Sequence, residues 1–169
     1  MQKEAMLYKP LEDNRVRCQL CAHYCKIDPG EYGFCRVRHN VDGRLYTLVY
    51  GEIIARHVDP IEKKPLYHFL PGSRAYSIAT PGCNFHCDFC QNWQISQIDG
   101  TYTPQHQGPA YLPEAVVGDA QDQDCRVIAY TYTEPTIFFE YAYETARLAK
   151  QAGISKCLCH QRIHDPQSH

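Results

Sequence analysis

The rhythm of apolar and polar positions changes near residue 70. Before it, apolar residues come in short groups among turn formers. The longest patterned stretch is "GRLYTLVYGEIIARHVDP", where Leu45, Thr47 and Val49 interleave with Leu48 and Tyr50 at strand-like spacing. Asp42-Gly43, just before those residues, predicts a hairpin turn. "DPIEKKPLYHFLPGS" holds three prolines and reads as a connector. From Ala75 the pattern is different. "AYSIAT" is a buried-strand run ending at Pro81-Gly82, and "CRVIAYTY" is a second one closed by Thr133-Glu134-Pro135. "LPEAVVGDAQD" predicts a helix despite Gly118. "TIFFEYAYETARLAKQAG" predicts the strongest helix, with Ile137, Tyr141, Thr145 and Leu148 on one face and Gly153 where a C-terminal cap belongs. Strand, helix, strand, helix in that order predicts an α/β fold with a parallel sheet and crossover helices. In such folds chemistry gathers at the carboxyl ends of strands, where both "PGCNFHCDFC" and "YTEP" lie.

Charge and composition narrow the function classes. The chain has 169 residues, a formal net charge of −2 and a pI near 6.5, which gives no electrostatic reason to expect nucleic acid or an anionic membrane surface as partner. It begins with the polar "MQKEAMLYKP", and no apolar run approaches the roughly 18 residues a membrane span needs. The expectation is a soluble, cytoplasmic protein. Ten cysteines are then unusual, because a reducing cytosol disfavours structural disulfides and clustered cysteines there more often bind metal.

Cys83, Cys87 and Cys90 put three thiols in eight residues. The same spacing fits a buried helical stripe, but the next position on that stripe is Gln94 and the run starts on Pro-Gly after a strand. A zinc knuckle would need a fourth ligand such as His86. Three thiolates suit an iron–sulfur cluster in which one iron keeps an open coordination position. A second group, Cys18, Cys21, Cys25 and Cys35, lies on loops broken by Pro29-Gly30 and Gly33. Four ligands there could close a tetrahedral zinc site or hold an auxiliary iron–sulfur cluster; otherwise they are reduced structural cysteines, with His23 an alternate ligand.

C-x3-C-x2-C with Phe89 before the last cysteine resembles the signature of radical S-adenosylmethionine (SAM) enzymes. The resemblance implies a [4Fe–4S] cluster on Cys83, Cys87 and Cys90, with SAM chelated by the open iron and cleaved to a 5′-deoxyadenosyl radical. It implies further that Phe89 lies against the adenine. "TYTEP" resembles the superfamily's Gly-Gly-Glu-Pro-like turn, with Tyr132 and Thr133 in place of the glycines. Glu134 is then expected to accept a hydrogen bond from the SAM amino group, and Asn92 is a further candidate for the pocket. Over residues 16–156 the layout resembles the radical SAM member of the AmmeMemoRadiSam system, a relative of the pyruvate formate-lyase activating enzyme. Glycyl-radical activating enzymes carry extra clusters near the N-terminus, though in a different C-x2-C-x3-C-P arrangement.

That resemblance implies a Cys-rich loop/β region over 1–70, then the first βα units of a partial (β/α) barrel over 71–156. It also implies a flavodoxin- or ferredoxin-like electron donor, and a substrate that is either a partner protein, as for the activases, or a small molecule. Family members are longer. After "QAGISK" a third buried strand is due, yet residues 157–169 read "CLCHQRIHDPQSH". Codons for Cys157 to Asp165 can be chosen so that reading one base later gives V-F-V-T-N-G-Y-M-T, a strand and turn, so a single-base frameshift is the expectation for this tail. A barrel cut there leaves an open sheet edge, and the chain is expected to be unstable or to aggregate unless another polypeptide completes it. The competing class is a non-catalytic module in which both cysteine groups hold structural metal.

Overall fold

The computed structural model describes residues 2–98 and 109–159. Strands β1 (Lys3–Glu4), β2 (Tyr8–Pro10), β3 (Val16–Cys18), β4 (Lys26–Ile27), β5 (Arg38–Val41) and β6 (Arg44–Thr47) make two small antiparallel sheets, ordered β2-β3-β4 and β1-β6-β5. The predicted hairpin turn joins β5 to β6. Asp42 at φ 48° and Gly43 at φ 88° supply the two positive φ angles that a two-residue type I′ turn requires. Alternation along the strands buries Ala5, Val16, Cys18, Ile27 and Leu45 in a core of their own. The buried Asn40 amide ties the sheets together: its Nδ2 donates to Asn14 O and Ile27 O, and its Oδ1 accepts from Gly43 N.

A larger sheet follows, ordered β10-β9-β8-β7. In it β8 (Arg74–Ala79), β9 (Cys125–Tyr130) and β10 (Ser155–Leu158) run parallel, and β7 (Ala55–Pro60) pairs antiparallel with β8. The expected boundary at residue 70 therefore runs between two paired strands of one sheet. The tail expected to be irregular from Cys157 keeps Cys157 and Leu158 in β10, paired with Ala129 and Tyr130. Cys159 N also donates to Tyr130 O at 3.0 Å, and Cys159 lines the cleft at the carboxyl ends of these strands; residues 160–169, over which most of the frameshift expectation runs, lie outside the described residues.

The two predicted crossover helices lie on one face of this sheet. α2 (Pro113–Asp122) starts on a proline, whose missing N–H costs a first turn nothing, and buries Val116, Val117 and Ala120. α3 (Phe139–Gln151) follows a 3-10 turn over Pro135–Phe138. Tyr141 and Thr145 are buried on its predicted face, and Leu148 is half-buried. Gly153 at φ 73° ends the helix in a Schellman motif, with Ile154 N donating to Ala149 O at 2.8 Å and Gly153 N to Lys150 O at 3.2 Å. These faces meet Tyr76, Ile78, Ile128 and Tyr130 of the sheet. Glu140, the fully buried charge on α3, takes a forked hydrogen bond from Arg38 of β5 at 2.8 and 2.6 Å and another from Met6 N at 2.9 Å. That pair pins the N-terminal unit onto the helix layer.

Candidate functional site

Residues 80–92 leave the carboxyl end of β8 as a loop, as the Pro-Gly start predicted, and not as a helical stripe. Gly82 turns it at φ 88°; a Cβ there would stand 2.7 Å from Val37 Cγ1 and 3.1 Å from Cys35 O, so only glycine lets the loop lie against the N-terminal unit. A short helix, α1 (Trp93–Ser96), braces the loop from behind. Gly82 N donates to Ile95 O at 2.9 Å, and Ser96 Oγ lies 3.3 Å from Cys90 Sγ.

The loop and the turn after β9 face each other across a cleft of about 370 Å3. Cys83, Cys87 and Cys90 all line it, with Asn92, Glu134, Tyr132, Thr133, Phe85 and Lys64. The three sequence-predicted thiols thus share one cavity with Glu134 and Asn92. Burial raises the Cys83 thiol pKa, against hydrogen bonds from the backbone N–H groups of Phe85 and Glu134 that favour its thiolate. Those N–H groups and the Ser96 hydroxyl are what thiolate ligands of a cluster need around their sulfurs. All three cysteines are free. The donor set therefore fits a three-thiolate iron–sulfur cluster.

Phe89 departs from expectation. Cys90 N donates to Cys87 O at 3.1 Å, making Asp88 and Phe89 the central residues of a turn that projects outward. Phe89 is 84% exposed and does not line the cleft; the aromatic that the cysteine loop places there is Phe85. Asn92 lines the cleft, but its Nδ2 is engaged by Tyr132 O at 3.0 Å, so it fixes the opposite wall. Glu134 is buried, and its Oε1 accepts from Thr136 Oγ1 at 2.6 Å at the entry to the 3-10 turn. Thr133 Oγ1 donates to Thr80 O at 2.9 Å and locks the two strand ends together.

Behind this wall stands a network the sequence did not signal. Asp59 at the end of β7 accepts hydrogen bonds from Lys63 (2.8 Å), Lys64 (2.7 Å), Ser77 (2.8 Å) and the Tyr132 hydroxyl (2.7 Å). Asp59, Lys63 and Lys64 are close in sequence, but Ser77 and Tyr132 come from two further stretches that no local pattern relates to them.

Cys18, Cys21, Cys25 and Cys35 meet as well, around a separate cavity of about 20 Å3 shared with Arg38, His23, Phe34 and Asn84. Burial pushes the Cys35 thiol up to about 12. Asn84 belongs to the Cys83 loop, and His23 Nε2 lies 2.8 Å from its carbonyl oxygen. The His23, Phe34 and His86 rings stack in series at centroid distances of 4.2 and 4.5 Å. The two cysteine groups are thus neighbours across one loop. Among the described residues, no three His, Cys, Asp or Glu side chains converge closely enough to hold a single ion as they stand.

A family model described as the radical SAM superfamily matches residues 77–165, more than half of the chain. Uncharacterized protein MJ0808 of Methanocaldococcus jannaschii is 45% identical over 152 residues, covering 90% of this chain and 45% of its own length. Uncharacterized protein MJ0674 of the same organism is 32% identical over 82 residues, covering 48% of this chain and 19% of its own length. The chain therefore spans about half the length, or less, of the curated relatives it matches. No solved structure matches it. No described helix is long and apolar enough to cross a membrane.

Proposed function

The chain belongs to the radical SAM superfamily, and from that premise we propose that Cys83, Cys87 and Cys90 ligate a [4Fe–4S] cluster in the cleft that Glu134 closes from the other side. Bound there, the cluster and SAM would supply a 5′-deoxyadenosyl radical; the chain's own residues supply geometry and shelter. The backbone N–H groups of Phe85 and Glu134 and the Ser96 hydroxyl stabilise thiolates. The Glu134 carboxylate offers an acceptor to an ammonium group. Tyr132, Thr133 and Asn92 hold the wall that carries Glu134. The observation that carries the reading is the meeting of the three thiols and Glu134 in one cleft at the carboxyl ends of parallel strands.

The finer placing with the AmmeMemoRadiSam enzymes and the pyruvate formate-lyase activases rests on the sequence layout over residues 16–156. On that placing, the electron donor is flavodoxin- or ferredoxin-like, the setting is the cytoplasm, and the radical acts on a partner protein or a small molecule. The test is SAM cleavage. After anaerobic reconstitution and reduction, the chain is expected to form 5′-deoxyadenosine from SAM, and Cys87→Ala to form none above background. Stoichiometric zinc with no SAM cleavage would favour the non-catalytic module instead.

A further inference from the structure

We propose that the cavity lined by Cys18, Cys21, Cys25 and Cys35 binds one zinc-class divalent ion through those four sulfurs, as a structural centre seated behind the Cys83 loop. The sulfurs are delivered by local backbone features and not by chance proximity. Cys18 ends β3, and Cys18 N donates to Cys25 O at 3.0 Å while Tyr24 N donates to Cys21 O at 3.1 Å. Arg36 N donates to Gly33 O at 2.9 Å, closing the turn that carries Cys35. Tyr24 at φ 44° and Arg36 at φ 62°, each next to one of the four cysteines, hold left-handed backbone that side chains ordinarily avoid; such strain concentrates at ligand clamps.

Three further observations point to an occupant and to its class. All four thiols are free. Two of the residues lining the cavity, Arg38 and Asn84, are only 1% and 3% exposed and each carries a buried polar atom without a partner, Nε and Oδ1. Four thiolates around a dication carry net negative charge, and a buried guanidinium N–H is the partner such a centre needs. The Asn84 amide can present either its oxygen or its NH2 to the cavity. Finally, about 20 Å3 is room for one ion and far too little for a four-iron cube, which sets this site apart from the 370 Å3 cleft. No three of these side chains stand close enough to hold an ion as they are, so binding requires the sulfurs to turn inward about their single χ1 bonds. The ion would then fix the surface that Gly82 and Asn84 rest on, through Cys35 O and His23.

The test uses the full chain with Cys83, Cys87 and Cys90 all changed to serine, so that its outcome is independent of the cluster in the main cleft. After desalting, this variant is expected to retain about one zinc per chain. Replacement by Co(II) is expected to give the thiolate-to-metal charge-transfer and d–d absorption of a tetrahedral thiolate site. Adding Cys21→Ser or Cys25→Ser, both at partly exposed positions, is expected to weaken Co(II) binding by more than the roughly 10–100-fold typical of removing an outer hydrogen-bond partner. Zinc well below one per chain without the cobalt bands would overturn the proposal. So would an iron–sulfide chromophore in the triple-serine chain, or Co(II) affinity indifferent to Cys21 and Cys25.

Discussion

Tyr132 sits at φ 66°, in the left-handed region where a β-carbon costs roughly 1–2 kcal/mol. A glycine would accept that angle freely, which is the physical sense of a Gly-rich turn at this point. Here the turn survives with a tyrosine because its surroundings hold it: the hydroxyl reaches Asp59, the carbonyl takes Asn92 Nδ2, and the Lys64 ammonium lies 4.8 Å from the ring centre. Burial alone would raise the Asp59 pKa, but hydrogen bonds from Lys63, Lys64, Tyr132 and Ser77 more than reverse this and hold it well below the usual carboxylate range. A carboxylate depressed in the folded state adds stability above its unfolded pKa of about 3.9, and that stability is lost as pH falls toward the folded value. The thermal midpoint is therefore expected to fall on acidification below about pH 4. In urea at neutral pH, Asp59→Asn should be less stable by about 3–5 kcal/mol, because Lys64 is left buried without its charge partner. The variant should also lose less on acidification than the parent. Equal acid sensitivity in the two would remove Asp59 from this role.

At the scale of elements, legibility followed the local signal. β8, β9, α2 and α3 could be read because an apolar run or a helical face ended on a Pro or Gly punctuator, and Asp42-Gly43 marked its own turn. β7 could not: it is an edge strand whose Arg56 and His57 face solvent, so it lacks the apolar pattern of its neighbours. The thiol spacing announced the cleft, but the turn from Cys87 to Cys90, which sends Phe89 outward and leaves Phe85 inside, depends on backbone hydrogen bonds that residue types do not reveal. The Arg38–Glu140 pair lies 102 residues apart in sequence and was equally silent. Deleting one partner of such a buried pair leaves a bare charge, so Glu140→Ala is expected to cost about 3–5 kcal/mol in denaturant unfolding. The double variant Arg38→Met/Glu140→Met should recover much of that loss. If it is no more stable than Glu140→Ala, shape and not charge governs this contact.

On the scale of the whole molecule, the N-terminal unit is a bracket for the Cys83–Cys90 loop. Arg38 and Met6 grip α3 through Glu140, Gly82 beds against Val37 and Cys35, and His23 meets Asn84. The cleft then opens where the parallel strands end, the place α/β folds reserve for chemistry. The relatives extend well beyond the span matched here. What this chain contributes is a loop of three cysteines facing Glu134, and the function proposed for it requires that a cluster held there leave one iron for SAM. Electron paramagnetic resonance of the anaerobically reconstituted, reduced chain, recorded before and after adding SAM, tests that claim most directly. A [4Fe–4S] signal whose line shape changes with SAM, and which is lost in Cys83→Ala, is the predicted result. A cluster signal indifferent to SAM, or no cluster signal at all, would contradict it.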